Sequence, residues 1–160
     1  MQLWLSTFLS LGLALVQTSS AAPAPVSALS KRIVDNLPPS DQFITCPGYR
    51  YSRPQVEAAV QRGITNTPTN EPQPGGYPHP FGNNRRLKFS DACKGKTLYE
   101  FPILHGDSIF GGGDPGADRV VFYIYTTNPD TNPTQNGAYC GVMTHDGAAM
   151  NEFELCPSED

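Results

Sequence analysis

Alternation typical of a β-strand is clearest in the segment Leu98-Tyr99-Glu100-Phe101-Pro102-Ile103-Leu104. Successive side chains of a strand point to opposite faces of its sheet, so Glu100 lies opposite its apolar neighbours. The segment Asp118-Arg119-Val120-Val121-Phe122-Tyr123-Ile124 repeats this pattern and sets Arg119 opposite three apolar side chains. One sheet can therefore bury an apolar face and present a carboxylate and a guanidinium on the other.

Two further strand-like segments end in histidines, Tyr77-Pro78-His79 and Gly141-Val142-Met143-Thr144-His145, and Tyr77 shares a face with His79. A carboxylate, a cation and histidines on one rigid sheet suit proton transfer at an anionic centre. Each residue also has a structural interpretation. Glu100 and Arg119 would form a salt bridge, because glutamate is seldom buried without a partner, and His145 would be satisfied within its strand.

The other periodic segments complete an α+β fold. Ser52 resembles a helix N-cap, Gln55 follows three residues later, and Gly63 is a stop signal, which predicts one helix from about Arg53 to Arg62. Strand-like segments occur around 77–79, 87–89, 98–104, 119–126, 139–144 and 152–156. We therefore predict a single small domain in which one helix packs on an antiparallel sheet.

The amino-terminal region has the pattern of a targeting segment. Residues 1–22 combine an apolar run with small residues at the end, which predicts a cleaved secretory signal peptide. The alternative, a membrane anchor, is disfavoured because the run is short and interrupted by Ser and Thr. Residues 23–32 form a candidate pro-segment that ends in the processing pair Lys31-Arg32, and the alternative for this pair is a solvated linker. The mature domain is then 33–160, secreted and free of membrane.

The charge balance restricts how this domain binds polyanions. The full chain has a formal net charge of −4, and without residues 1–32 nine basic residues stand against fifteen acidic ones, a charge of −6. An acidic protein gains no general attraction toward nucleic acid. Binding of such a substrate requires a local basic site.

Cysteine usage fits an oxidising compartment. Four cysteines in a secreted chain indicate two disulfides, and the sequence by itself allows three pairings of Cys46, Cys93, Cys140 and Cys156. Metal binding is the other use of cysteine. The chain has no C-x-x-C spacing and no paired histidines, so we expect no metal and no cofactor.

Four motifs in order resemble one known family. They are Tyr77-Pro78-His79, Tyr99-Glu100-Phe101-Pro102, Pro115-Gly116-Ala117-Asp118-Arg119-Val120-Val121-Phe122 and Thr144-His145-Asp146-Gly147-Ala148. Together with the cysteines they resemble the fungal extracellular guanyl-preferring ribonucleases and the related ribotoxins, from about Cys46 to Cys156. The resemblance implies the pairs Cys46–Cys156 and Cys93–Cys140. It also implies a monomeric endoribonuclease that acts on single-stranded RNA.

The resemblance assigns catalytic roles as well. It implies Glu100 as general base, His145 as general acid and Arg119 as the residue that stabilises charge on the phosphate. His79 would share the base role or hold the 2′-oxygen. Tyr77 would offer its hydroxyl to a phosphate oxygen. The matching position for a bulky apolar residue beside the phosphate is Phe153, whose alternative role is core packing, and His105 matches no motif and is expected to be a loop histidine.

Base recognition follows the family pattern only in part. By resemblance, Phe81 would stack on a base, Asn83 and Asn84 would form a tight turn, and Asn151 would close the far side. The position of the family's guanine-reading glutamate carries Arg85. Arginine only donates hydrogen bonds, so it would contact O6 and N7 of guanine or a phosphate.

Two alternatives use the same scaffold. A ribotoxin would cleave ribosomal RNA, but it would need many cations for ribosome binding, and this chain is acidic. A secreted effector without catalysis would keep only the fold. The presence of Glu100, Arg119 and His145 together favours the enzyme, with cleavage after guanine or purines.

Overall fold

The alternating segments form the middle of a sheet. Strand β5 (Leu98–Pro102) pairs antiparallel with β6 (Asp118–Thr127), and β6 pairs antiparallel with β7 (Thr134–Thr144). Strand β4 (His79–Phe81) lies antiparallel on the outer side of β5. The computed structural model describes residues 32–67, 74–84, 86–131 and 133–159. The predicted signal peptide, most of the candidate pro-segment and Arg85 lie outside these residues.

Two short strands share the far edge of β7. Strand β1 (Val34–Asp35) pairs in parallel with its beginning, and β8 (Glu154–Leu155) pairs antiparallel with its end. A register shift in β7 leaves Cys140 as an extra residue between the partners of Val121 and Phe122. Such a bulge bends a strand and re-aims a side chain. Here the bulged residue forms the disulfide with Cys93.

A second sheet joins the two ends of the domain. Its central strand β2 (Phe43–Cys46) pairs with β3 (Tyr49–Ser52) and with β9 (Ser158–Glu159). The disulfide Cys46–Cys156 fixes the same junction, so both implied pairings are confirmed. Closing loops of this length stabilises a fold by about 4 kcal/mol each in the chain-entropy model.

Helix α1 (Arg53–Thr65) begins where the sequence predicted. The backbone N–H of Ser52 donates to the side-chain oxygen of Gln55 at 2.9 Å, as in a capping box. The predicted end is wrong, because the helix continues through Gly63. A Cβ at Gly63 would lie 2.5 Å from a ring carbon of Phe122, so this glycine lets the helix approach the sheet closely.

The remaining predicted strands differ from the structure in position. The segment 87–89 forms no strand. It lies in a loop from which Leu87 and Phe89 pack against buried residues of one face of the sheet. Strand β4 starts at His79, not at residue 77. Two 3-10 turns, Pro74–Gly76 and Asp91–Cys93, flank this region. The hairpin of β2 and β3 was not predicted.

The two faces of the large sheet carry separate apolar clusters. The larger cluster lies between the sheet and α1 and includes Tyr51, Val56, Val60, Phe101, Val120 and Phe122. The smaller cluster lies on the opposite face and centres on Cys93, Leu98, Val121, Cys140 and Met143. The predicted α+β fold is confirmed, and the helix covers the face opposite Glu100. Of the helices in the described ranges, none combines the length and apolarity that a membrane span requires.

Candidate active site

A buried carboxylate and a half-exposed histidine meet across β4 and β5. His79 is the register partner of Glu100, and its Nδ1 lies 3.4 Å from the Glu100 Oε1. Glu100 is only 8% exposed. Burial raises the pKa of the Glu100 carboxyl, while the charges of Arg119 and His79 act in the opposite direction. A carboxylate with a raised pKa is a stronger base than an ordinary glutamate.

Arg119 is held by the turn that precedes its strand. Its Nη1 donates to the carbonyl oxygens of Pro115, Gly116 and Asp118 at 3.1, 2.8 and 2.9 Å. The residue is 4% exposed. These bonds orient the planar guanidinium cation. The guanidinium is thus fixed before any substrate arrives.

Glu100 and Arg119 each have one buried polar atom without a hydrogen-bond partner in the described ranges. The Oε2 of Glu100 and the Nε of Arg119 are buried and accept or donate no hydrogen bond among the described residues. In the structure, Glu100 pairs with His79 and not with Arg119, and the neighbouring Asp118 pairs with His105. The alternative of a structural salt bridge between Glu100 and Arg119 is therefore not realised. Buried polar groups are normally paired, so an acceptor and a donor remain available for a polar ligand.

Tyr77 links the cation to the first histidine. Its ring stacks on His79 with centroids 4.0 Å apart, and the guanidinium carbon of Arg119 lies 5.3 Å from its centre. Such a cation–π contact is worth about 0.5–2 kcal/mol. Tyr77 therefore positions both neighbours through the faces of its ring, in addition to any contact of its hydroxyl.

His145 follows β7 directly and is fixed by three contacts. Its backbone N–H donates to the Ala117 carbonyl at 3.1 Å, and its ring stacks on Phe153 at 3.7 Å. Its Nδ1 lies 2.5 Å from the carbonyl oxygen of Glu152. A carbonyl only accepts, so Nδ1 carries a proton and Nε2 is the nitrogen free for chemistry. Burial and the nearby Arg119 lower the pKa of His145, and Glu100 partly offsets this.

Comparison with known proteins shows the family of the chain. The sequence model of the ribonuclease family matches residues 40–157.

The chain belongs to the ribonuclease family.

Its relatives are fungal. It is 38% identical over 113 residues to guanyl-specific ribonuclease U1 of Ustilago sphaerogena, and this alignment covers 71% of this chain and 93% of the relative. It is 30% identical over 165 aligned positions to guanyl-specific ribonuclease N1 of Neurospora crassa, covering 95% and 97%. It is 34% identical to guanyl-specific ribonuclease T1 of Aspergillus oryzae over 70% of this chain and 76% of the relative. The predicted family and enzyme class, an endoribonuclease, are confirmed, and the ribotoxin and non-catalytic alternatives are not favoured.

The loop that the resemblance implies for base recognition is organised by Asn83. The Asn83 side chain donates to the Leu87 carbonyl at 3.0 Å and accepts from the Leu87 N–H at 2.7 Å. Asn83 and Arg86 both have positive φ, 42° and 57°, which an asparagine tolerates well. The Asn83 side chain is therefore committed to the loop, and the exposed Asn84 lies at its tip. Arg85 lies outside the described residues.

Aromatic rings connect this loop to His145. Phe81 meets Phe153 edge-to-face at 6.0 Å and Phe89 at 5.9 Å. Phe153 thus lies between His145 and Phe81 and also joins the smaller apolar cluster. Asn151, predicted to close the pocket, is exposed with φ of 61° in the same loop as Phe153.

The structure also contains a polar cluster that the sequence did not reveal. His105 lies in a loop as expected, but its Nε2 is 3.3 Å from the buried Asp118, and its ring stacks on Tyr49 at 4.5 Å. The Tyr51 hydroxyl donates to the same carboxylate at 2.5 Å. The only sequence signal for this cluster was the position of Asp118 beside Arg119.

The side chains that could hold a metal ion are dispersed. In the ranges that the structure describes, no group of three His, Cys, Asp or Glu side chains converges as metal ligands would.

Proposed function

We propose that this ribonuclease is a secreted monomer that cleaves single-stranded RNA after guanine, or after purines, by transphosphorylation without a metal. The product would be a 2′,3′-cyclic phosphate that is later hydrolysed to a 3′-phosphate. The observation that supports this most directly is the pair of buried, unpartnered atoms, Glu100 Oε2 and Arg119 Nε. One would accept the proton of a hydroxyl, and the other would donate to a phosphate oxygen.

The first step uses the nucleophile that RNA itself supplies. Glu100 removes the proton of the 2′-hydroxyl, and the 2′-oxygen forms a bond to phosphorus. The bond from phosphorus to the 5′-oxygen breaks, and the Nε2 of protonated His145 gives its proton to that oxygen. His79 holds the 2′-oxygen or supports the ionised Glu100 through its 3.4 Å contact. Acid–base catalysis of this kind supplies about 10²–10⁴-fold.

In the second step, the hydrolysis of the cyclic phosphate, Glu100 and His145 exchange their acid and base roles. Neutral His145 takes a proton from water, whose oxygen attacks the cyclic phosphate. The bond to the 2′-oxygen breaks, and protonated Glu100 returns its proton to that oxygen. In both steps Arg119 stabilises the negative charge that develops on the phosphoryl oxygens. Its three hydrogen bonds to carbonyl oxygens hold the guanidinium in place.

Support for the base preference comes from the relatives and from the loop. All three relatives named above are guanyl-specific. Phe81 would stack on the base, while the Asn83-centred turn and Asn151 would line its edges. Arg85 would donate to guanine O6 and N7, a contact that cytosine and uracil do not offer. We include adenine as a possible second base, because it shares the N7 acceptor.

Secretion is supported by residues 1–22 and by the two disulfides, which persist in oxidising compartments. The monomer is supported by the site itself, since every proposed catalytic residue comes from one chain. Size-exclusion chromatography with light scattering would measure the oligomeric state, and a dimer that loses activity on dilution would contradict this part of the proposal.

Cleavage of GpC, ApC, UpC and CpC in the presence of EDTA tests the function. We expect GpC to be cleaved fastest, with cyclic phosphate appearing before the 3′-phosphate, and we expect Glu100→Ala to lose this activity. Loss of wild-type activity in EDTA would contradict the metal-free mechanism. Equal rates on all four dinucleotides would contradict the base preference, and no cleavage of any would contradict the function.

A further inference from the structure

A cleft lies next to the base-recognition loop, on the sheet face opposite the helix. Its volume is about 460 Å³, and it is bounded by Phe81 and Asn83 on one side and by the segment 87–96 on the other. Leu98, at the start of β5, forms its floor. Pockets of this size accept small molecules or a nucleotide unit.

Three lysines line this cleft. Lys88, Lys94 and Lys96 are all exposed, and Asp91 is the acidic residue among the lining groups. Within the described ranges, these lysines form neither a salt bridge nor a side-chain hydrogen bond, while Lys96 lies 5.4 Å from the centre of the Tyr123 ring. The cleft is thus a cationic region with charges available to a ligand.

The concentration of charge in this region contrasts with the rest of the domain. After residue 32, the sequence has nine basic residues, and five of them fall between positions 85 and 96. The same domain has fifteen acidic residues. Because the domain is acidic, binding of RNA requires a local basic site. Arg119 supplies only one cation at the catalytic centre, so further cations are needed elsewhere.

The lysine-bearing segment is held in place before a ligand binds. Cys93 is tied to β7 by the disulfide with Cys140. The backbone N–H groups of Cys93 and Lys94 donate to Ser90 and Asp91 at 2.9 and 3.1 Å. A fixed backbone reduces the ordering cost of binding.

The position of the cleft indicates which part of an RNA chain would reach it. Across the sheet, His145 follows β7, whereas His79 and Glu100 lie on β4 and β5. The leaving 5′-oxygen must lie near His145, so the nucleotide that owns the attacking 2′-hydroxyl lies over β5 and β4. The cleft opens beside the Phe81–Leu98 pair, two residues and about 7 Å further along these strands. It therefore borders the nucleotide whose base is read, at the β4–β5 end of the sheet, whereas the scissile phosphate lies toward His145 at the β7 end.

We propose that this cleft is an upstream subsite, in which Lys88, Lys94 and Lys96 bind the phosphate on the 5′ side of the nucleotide whose base is read. The proposal rests on the proposed function, since it assigns a place to a second part of the same substrate. The ligand class is a phosphodiester of single-stranded RNA. Each lysine that contacts a phosphate displaces counterions, so binding weakens as salt rises.

Substrate extension at defined ends tests the subsite. The value of kcat/KM at low salt is measured for GpC, for pUpGpC with two added 5′ phosphates, and for GpCpA with an added 3′ nucleotide. We expect the wild type to prefer pUpGpC over GpC several-fold, with a steeper salt dependence. In the triple variant Lys88→Gln, Lys94→Gln, Lys96→Gln this preference should vanish and GpC cleavage should remain. The salt slope should fall by about 0.7 for each phosphate that the lysines no longer neutralise.

The matched control is Arg62→Gln, which removes an exposed cation from α1 on the opposite side of the sheet. This variant should keep the preference for the 5′-extended substrate. A binding measurement with the same oligonucleotide carrying 2′-deoxyguanosine, which has no nucleophile, gives a readout independent of cleavage. Its affinity should fall in the triple variant and not in Arg62→Gln.

The outcomes separate the subsite from the function. If GpC is cleaved but 5′ extension does not raise kcat/KM, the upstream subsite is wrong and the ribonuclease function stands. The same conclusion follows if the triple substitution lowers kcat/KM on GpCpA rather than on the 5′-extended substrate. An equal loss in Arg62→Gln would show a general charge effect and would also overturn the subsite. If none of the substrates is cleaved, the proposed function itself fails.

Discussion

Two buried carboxylates on neighbouring strands of this protein have similar histidine partners but different surroundings. Glu100 lies 3.4 Å from His79, and Asp118 lies 3.3 Å from His105. Each carboxylate keeps one buried oxygen without a hydrogen bond in the described part of the chain. The histidine–carboxylate distance alone would not distinguish them.

Their other neighbours make the difference. The Asp118 carboxylate accepts a hydrogen bond from the Tyr51 hydroxyl in the main core. Glu100 instead faces the charges of Arg119, His79 and His145, and burial still raises its pKa. A carboxylate that accepts a hydrogen bond from a core donor can serve the fold, whereas one that faces a cation and histidines can serve catalysis.

Substitution of the two histidines is expected to separate the roles of Glu100 and Asp118 most strongly. We expect His145→Ala to lower kcat/KM on GpC by about 10²–10⁴-fold, because it removes the proton donor to the leaving oxygen. The control is His105→Ala, which removes a histidine from the other cluster and should leave kcat/KM near the wild-type value. Steady-state kinetics of both variants measure this. Comparable losses in the two variants would mean that the clusters do not have separate roles.

Loss of the Tyr51 hydroxyl should lower the free energy of unfolding and leave activity unchanged. Tyr51→Phe removes the donor to Asp118 and leaves a buried carboxylate less satisfied, which should cost about 1–3 kcal/mol of unfolding free energy. Urea denaturation measures this loss. Activity on GpC below the unfolding transition should be unchanged. If folding were unaffected while activity fell, Asp118 would belong to the catalytic machinery.

The pH dependence gives the smallest but most specific signal. Burial raises the pKa of Glu100 above the usual 4.5, so the rate should rise with pH only above that value. Burial and Arg119 lower the pKa of His145 below 6.5, so the rate should fall again before that pH is reached. A profile of kcat/KM, which reports the free enzyme, should therefore be a bell narrower than the one that the ordinary pKa values of a glutamate and a histidine would give. A plateau that extends well above pH 6.5 would contradict the environment assigned to His145.

Much of the fold and of the site could be predicted because their signals are local. Alternation around Glu100 and Arg119 fixed which face each would occupy, and the register of β4 and β5 then places His79 opposite Glu100. The N-cap at Ser52 located the start of the helix. These features depend on sequence neighbours and on the period of the chain, which a single sequence contains.

The rest depended on contacts between distant segments. Gly63 has the form of a helix stop, but its role is to admit the ring of Phe122, which lies 59 residues later in the chain. The segment at Leu87 looks like a strand, yet Asn83 bonds to it and folds it into a loop. The carbonyl of Glu152 that orients His145 belongs to the main chain, so no residue type could have indicated it.

The central claim is that Glu100 and Asp118 have opposite uses, and two isosteric variants test it most directly. We would measure kcat/KM on GpC and the neutral-pH Tm of Glu100→Gln and Asp118→Asn side by side. The folded-state pKa of Glu100 lies above its unfolded value, so its contribution to stability is full at low pH and is lost as pH rises through the folded pKa. A neutral Gln should therefore raise Tm at neutral pH while activity falls about 10²–10⁴-fold. Asp118→Asn should do the reverse, losing about 1.5–3 kcal/mol of stability through its weakened hydrogen bonds and keeping its activity. An active Glu100→Gln variant, or an inactive but stable Asp118→Asn variant, would contradict the account.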